Sequence, residues 1–343
     1  MKKTMQVAAV ETFGAPLALQ QWDIPTPQHN QILVKTEACG VCHTDLHAAN
    51  GDWPLKPRLP FIPGHEGIGI VVEVGASVTT IQKGQRVGVP WLYSACGHCE
   101  YCLAGRETVC AKAEYGGYKQ NGGFAEYIVA DPNYVALIPD GLSAVQAAPI
   151  ICAGVTTYKG IKETHARAGQ WLAISGVGGL GHLAIQYAKA MGLRVCAIDI
   201  DDGKLAHART LGAEVIINAS VGNPIDNLLQ ATGGGAHGVL ITAPSLSAFQ
   251  QGVAMTRKFS TCVLIGLPAG EFPVPLFGVV ANCITIRGSF VGTRADMAEA
   301  LAFAANGRVQ ADVELQPLSA INEVFTRLQN GKVAARVVID FAQ

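Results

Sequence analysis

The chain has 343 residues, 49% of them apolar and only 15% charged, with a formal net charge of −1. That length exceeds one ordinary hydrophobic core and implies two domains, and near-neutrality removes the electrostatic basis for binding nucleic acid or an anionic membrane. The start, Met1-Lys2-Lys3, is basic, but the apolar run behind it is interrupted at Gln6 and reaches Glu11 too soon for a signal-peptide core. The longer apolar stretches are broken by Gly, Pro and charges, so no membrane span is expected and a cytoplasmic setting is the default.

Residues 5–35 read as short strands, M-Q-V-A-A-V, L-A-L-Q-Q-W and I-L-V-K-T, punctuated by Pro25, Pro27 and Asn30. From Glu37 to Glu66 the character changes. E-A-C-G-V-C-H-T-D-L-H and F-I-P-G-H-E gather Cys42, His43, Thr44, Asp45, His47, His65 and Glu66 into thirty residues. A core has little use for so many titratable groups, because burying them unpaired is costly. Zinc takes Cys sulfur and His nitrogen as ligands, which marks the stretch as a reaction centre. Two further strands, G-I-G-I-V-V-E-V-G and one opened by G-Q-R-V-G-V-P, complete a largely β region.

Next comes Cys96-x2-Cys99-x2-Cys102-x7-Cys110. Disulfides are disfavoured in reducing cytosol, and four thiolates on one small loop suit a closed tetrahedral zinc site; an iron–sulfur cluster is the alternative. His98 is read as a bystander. Only Arg106 and Lys112 are basic nearby, too few for a nucleic-acid-binding ribbon.

From about residue 150 strands alternate with helices: W-L-A-I-S-G, a helix to Gly192, R-V-C-A-I-D, a helix near Lys204–Leu211, E-V-I-I-N, a helix near 224–231, then H-G-V-L-I-T and T-C-V-L-I-G with a helix between them. This pattern implies a parallel sheet with helical crossovers. Gly176-x-Gly178-Gly179-x-Gly181 follows a strand and opens a helix, and Asp199 closes the next strand, together the dinucleotide fingerprint. Glycines let backbone amides approach a pyrophosphate at a helix N-terminus. Asp199 can accept from both adenosine ribose hydroxyls and would repel a 2′-phosphate, which selects NAD over NADP. The last fifty residues are mixed, ending in the strand A-R-V-V-I-D-F, and F-P-V-P-L-F-G-V-V near 272–280 reads as an apolar strand suited to an interface.

A catalytic zinc needs three protein ligands and an open position. Cys42 and His65 are the leading pair; spacing alone leaves the third open among Cys152, Cys196, Cys262 and Cys283, although the last three lie within or beside apolar segments where a free cysteine is usually a small hydrophobe. Cys39 is read as packing. Taken together, G-V-C-H-T-D-L-H-A, G-H-E-G-I-G, the four-cysteine loop, A-G-V-T and S-G-V-G-G-L-G resemble the zinc-dependent medium-chain alcohol dehydrogenases, in particular the bacterial and yeast tetrameric ethanol-active branch, over nearly the whole chain.

The resemblance implies an α/β architecture: a mainly β GroES-like catalytic domain (1–150 and 289–343) and a doubly wound Rossmann domain binding NAD (151–288). It implies two zinc ions per subunit, a catalytic one on Cys42, His65 and Cys152 and a structural one on Cys96, Cys99, Cys102 and Cys110. Thr44 would contact the substrate oxygen and begin a proton relay, through the nicotinamide ribose, that ends at His47. Asp45 and Glu66 would support the zinc ligands, with Asp45 orienting His65. His43 and Arg336 would meet the pyrophosphate, and Lys204 would join Asp199 at the ribose. Trp53 and Trp91 would narrow the pocket toward small primary alcohols and aldehydes, and the assembly would be a homotetramer. Benzylic alcohols, polyols or formaldehyde are the alternative substrates.

Overall fold

The computed structural model describes residues 3–334 and 336–342; Met1 and Lys2 of the basic start lie outside them. The chain divides into two compact units. One runs to Cys152, takes in Thr293–Ala305 and resumes at Ala311; the other comprises Ala153–Gly292 and Asn306–Gln310.

The first unit is built on a mixed sheet in the order Val313–Gln316, Arg336–Asp340, Ile32–Val41, Gly67–Val74, Arg86–Val89, Ala136–Leu137, with Tyr127–Ala130 also pairing Ile32–Val41. Its long central strand buries Ile32, Val34, Ala38 and Cys39, and Val71, Val87 and Ile128 pack in one cluster with Ile32 and Val34. That strand is ten residues long, twice the apolar run that marks it in the sequence, and it delivers the chain directly to Cys42. The terminal strand Arg336–Asp340 pairs antiparallel with its far end, Val337 opposite Val41 and Ile339 opposite Cys39. Residues three hundred apart therefore meet beside the reaction-centre stretch. Cys39 is fully buried and its thiol faces the Gly40 carbonyl at 3.5 Å, a packing position.

The second unit holds a six-stranded parallel sheet in the order Val215–Asn218, Arg194–Asp199, Trp171–Ser175, Ala236–Ile241, Thr256–Leu264, Thr285–Gly288. The central strand Trp171–Ser175 is buried at every position, as a parallel strand covered on both faces should be. The strand order reverses direction beside it, at the switch point where such sheets bind ligands.

One expectation fails. The run near 272–280 is not a strand: Pro273 and Pro275 lack the N–H a ladder needs, and a helix, Leu276–Ala281, starts immediately after Pro275. Leu276, Phe277 and Val280 are exposed on it. Among the described residues no helix is long and apolar enough to cross a membrane.

Candidate active site and metal centres

Helix His43–Asn50 begins at Cys42, its N-cap. Asp45, one turn in, is buried (1% exposed) and its carboxylate ties the site together. Oδ2 accepts from the Cys42 backbone N–H at 2.9 Å; Oδ1 accepts from the Gly64 N–H at 3.0 Å and from His65 Nδ1–H at 2.7 Å. One side chain thus fixes both the start of the helix and the turn that carries His65. With Nδ1 engaged by Asp45, Nε2 is the nitrogen left to bind a metal, and it faces Cys152 Sγ at 3.1 Å.

Cys152 arrives from a different part of the chain. Ser143 caps helix Ala144–Pro149, its Oγ accepting from Gln146 N–H at 3.2 Å, and a π-helical turn, Ile150–Gly154, follows with Cys152 at its centre. Such wide turns recur at functional sites. Donor atoms of Cys42, His65, Glu66 and Cys152 all lie within 4.8 Å of one another, and all four residues are buried. Cys196 and Cys262 lie in the core of the parallel sheet, where burial pushes both thiols up to about 12; Cys283 is exposed.

The buried groups of the four-residue cluster perturb one another strongly. A hydrogen bond from Cys152 holds Cys42 well below the usual thiol range, against burial and with help from His65, while the same bond and burial push Cys152 well above it. Burial opposes charging of His65, but the Asp45 carboxylate and the Cys42 sulfur together outweigh it and raise the imidazole well above its ordinary value. Glu66 makes a buried ion pair with Arg336. Burial still lifts Glu66 above the usual carboxylate range, and Glu66 Oε2 and Arg336 Nε have no hydrogen-bond partner among the described residues. The set of two sulfurs and one imidazole within reach of one centre fits zinc.

The aromatic residues stand against this cluster. Trp91 meets His65 edge-on with ring centroids 5.3 Å apart, and Trp53 lies 6.0 Å from Trp91 and 5.8 Å from His47. Tyr118 packs on both indoles at 5.4 and 5.6 Å, its hydroxyl donating to the Leu55 carbonyl, and Tyr115 stacks on Trp91 at 5.0 Å. Thr44 and His47 are three apart on the helix, hence on one face. His43 is its first residue.

The second cysteine set closes on itself. The sulfurs of Cys96, Cys99, Cys102 and Cys110 lie within 4.8 Å of one another, a four-sulfur set that fits a closed zinc site without an open position. The backbone N–H of His98 pulls the Cys96 thiol down to about 6. Glu107, buried between the third and fourth cysteines, accepts from Arg294 Nε at 2.9 Å, and the Arg294 guanidinium lies over the Tyr134 ring at 4.8 Å.

In the second unit the glycines divide the work. Gly176 takes φ of 99°, and a Cβ there would come within 2.7 Å of the Ala243 amide; a Cβ on Gly181 would fall on the Gly176 carbonyl oxygen. Gly178 has nothing within 4 Å of where its Cβ would stand, so its backbone is open to a ligand. Gly179 completes the turn into helix Gly181–Ala190. Asp199 Oδ2 accepts from Val177 N–H at 2.6 Å and Oδ1 from Ile200 N–H at 2.8 Å, which sets the carboxylate at the edge of the glycine turn. Lys204 N–H donates to Asp201 Oδ1 at 2.9 Å, starting the next helix.

Comparison with known proteins identifies the family. Residues 28–140 match the family model described as alcohol dehydrogenase GroES-like domain, and residues 179–306 match zinc-binding dehydrogenase. The chain is 54% identical over 337 residues to an alcohol dehydrogenase of Moraxella sp. (strain TAE123), covering 98% of this chain and 99% of that one. To an alcohol dehydrogenase of Geobacillus stearothermophilus it is 52% identical over 335 residues, covering 98% and 99%. The chain belongs to the zinc-dependent medium-chain alcohol dehydrogenases. The solved alcohol dehydrogenase of the archaeon Aeropyrum pernix superposes with a TM-score of 0.90 at 31% identity, covering 98% of this chain and 99% of that one.

Within this alcohol dehydrogenase several site residues escape sequence reasoning. Gly40 is one: a Cβ there would fall on Glu66 Oε2, so the glycine makes room for the carboxylate. Tyr115, Tyr118 and the Glu107–Arg294 clamp are others, each brought in by the fold from a distant segment, and so is the pairing, though not the identity, of Glu66 and Arg336. Asp52, 2.8 Å from His47, had a signal in the sequence: it follows Gly51, a helix-ending residue.

Proposed function

We propose that this enzyme reversibly oxidises small primary alcohols to aldehydes with NAD as the hydride acceptor. The observation that carries it is the convergence of Cys42, His65 and Cys152 beside the indoles of Trp53 and Trp91. Zinc on those three donors would supply Lewis acidity, lowering the pKa of an alcohol hydroxyl, and a second zinc on Cys96, Cys99, Cys102 and Cys110 would hold that loop.

The chain's own residues do the rest. Asp45 keeps His65 in the tautomer that presents Nε2. Thr44 offers a hydroxyl at the start of the relay and His47, half-exposed on the same helix face, passes the proton to water. Trp53, Trp91 and Tyr118 restrict the space beside His65, which favours short chains over benzylic alcohols or polyols. Gly178 leaves the pyrophosphate room, and the Asp199 carboxylate favours a free ribose hydroxyl over a 2′-phosphate, with Lys204 as its neighbour. Arg336 commits one amino group to Glu66 and keeps an unpaired Nε–H for an anion, with His43, whose charged form burial disfavours, as a neutral N–H donor. The exposed Leu276, Phe277 and Val280 favour a homotetramer, and ten unpaired cysteines favour the cytoplasm.

Zinc per chain by elemental analysis, read with NADH formation from ethanol before and after mild chelation, tests the proposal. About two zincs, with activity lost as the more open one leaves, is the expected result. One zinc and no turnover with any alcohol would overturn it.

A further inference from the structure

Helix His43–Asn50 ends in a way that reaches back to its own proposed base. Gly51 takes a left-handed φ of 69°. Its N–H donates to the Ala48 carbonyl at 3.2 Å and the N–H of Asp52 to the His47 carbonyl at 3.1 Å. These are the two bonds of a Schellman motif. A Cβ at position 51 would stand 2.9 Å from the Phe13 ring, so packing and φ both require glycine there. The longer bond folds residue 52 beneath the last turn, next to residue 47. In most such helix ends an apolar pair meets near that point. Here Asp52 Oδ2 stands 2.8 Å from His47 Nδ1. Trp53, the next residue, lies against the imidazole with centroids 5.8 Å apart and planes at 36°. Three consecutive residues thus set the turn, hold one edge of the ring and back the ring itself.

His47 and Asp52 are 36% and 44% exposed, and an ion pair that open contributes little to stability. What it does do is restrict the rotation of a half-exposed imidazole and bias its tautomer. We propose that Asp52 is the positioning residue of the proton relay: it accepts Nδ1–H of His47, leaves the lone pair on Nε2, and fixes the direction in which that nitrogen takes a proton. The role rests on the reading of His47 as the end of the relay. The step balances simply. A proton arriving at Nε2 makes an imidazolium that faces the Asp52 carboxylate; loss of the Nε2 proton to water restores the same neutral tautomer, and Nδ1–H never leaves its bond to Asp52.

The test uses the zinc-loaded, full-length enzyme labelled with 15N-histidine, the His47 signals being identified by their loss in His47→Gln. Asp52→Ala and Asp52→Asn are compared with wild type for the 15N shifts of His47 and for single-turnover NADH formation from ethanol. The expected result is an Nδ1-protonated ring in wild type and a shift toward the Nε2-protonated form in Asp52→Ala. The single-turnover rate of that variant should fall by about tenfold, short of the roughly hundredfold or more lost with a general base itself. KM for ethanol and zinc content should not move. Asp52→Asn, whose amide oxygen can still accept from Nδ1, should fall between the two. A wild-type ring protonated at Nε2, or an Asp52→Ala variant with unchanged tautomer or unchanged rate, would overturn the proposal. Wild-type protein that carries zinc yet forms no NADH from any alcohol would remove the relay reading and this role together, and that result is seen before any variant is made.

Discussion

Replacing Asp45 by Asn is the most informative single perturbation of the catalytic centre. The Asp45 carboxylate accepts three hydrogen bonds, from Cys42 N–H (2.9 Å), Gly64 N–H (3.0 Å) and His65 Nδ1–H (2.7 Å), at 1% exposure. An amide has one oxygen. In its better orientation Asn keeps that oxygen toward Gly64 and His65 and turns its NH2 toward the Cys42 N–H, donor against donor. The Cys42 bond, worth roughly 1.5–3 kcal/mol as a bond to a charged group, is then lost, and water cannot reach the stranded N–H. The two surviving bonds lose their charge assistance, which is about half their strength. The lost bond and half of each surviving one together should destabilise the zinc-stripped protein by roughly 3–6 kcal/mol, and the affinity of the Cys42–His65–Cys152 site for zinc should fall about 10- to 100-fold because His65 is no longer held as firmly. Zinc affinity is measured by competition with a chromophoric chelator, and stability by denaturant unfolding of the stripped protein. The four-cysteine site serves as internal control and should keep its metal. Wild-type zinc affinity together with an unchanged unfolding midpoint would refute the reasoning.

Three further predictions address separate parts of the molecule. Asp199→Asn keeps one oxygen for the Ile200 and Asp201 N–H groups, gives up the bond from Val177 N–H and removes the charge that faces the ribose, so kcat/KM for NADP relative to NAD should rise by about tenfold, equivalent to about 1.4 kcal/mol; an unchanged ratio would show that Asp199 does not read the 2′ position. Trp53→Ala enlarges the pocket without emptying the core, since Trp53 is only half-buried, and kcat/KM for butanol relative to ethanol should rise about tenfold, the order of one methylene's worth of discrimination. An unaltered chain-length preference would place Trp53 outside the pocket. Glu314 is held down to about 2, first by hydrogen bonds from Arg327 at 2.6 Å and then by Gln316. Its folded pKa is depressed, so its stabilising effect is present above the usual carboxylate range and disappears as pH falls toward 2. Being 42% exposed, it should contribute only about a few tenths of a kcal/mol. The unfolding difference between wild type and Glu314→Gln should be measurable at pH 6 and vanish near pH 2; a difference independent of pH would exclude the Arg327 pair as its source.

Patterns that are local in the chain were legible without a structure. The alternation of strands and helices after residue 150 fixes a parallel sheet, because each crossover helix and each buried strand carries its own periodicity. Gly176, Gly178, Gly181 and Asp199 are spaced along one strand–turn–helix–strand unit, and the four cysteines lie on one loop, so chain geometry alone gathers each set. The same locality puts Asp45 one turn above Cys42.

What spacing left open is what long-range pairing decides. Cys152 stands 87 residues from His65 and is distinguished from Cys196 and Cys262 only because a wide helical turn aims it at His65 while the other two face a sheet core. Arg336 enters from the resemblance as a pyrophosphate contact, and its burial against Glu66 appears only because its strand pairs with Ile32–Val41. Gly40 reads as nothing in particular until Glu66 takes the space its missing Cβ leaves. The run near 272–280 misleads for the opposite reason: its apolar composition suggests a strand, and two prolines without N–H groups make it a helix start instead. Residue type and spacing name the chemistry of the donors; only the folded sheet decides which of them share a centre, because that is set by which backbone strands find hydrogen-bonding partners far along the chain.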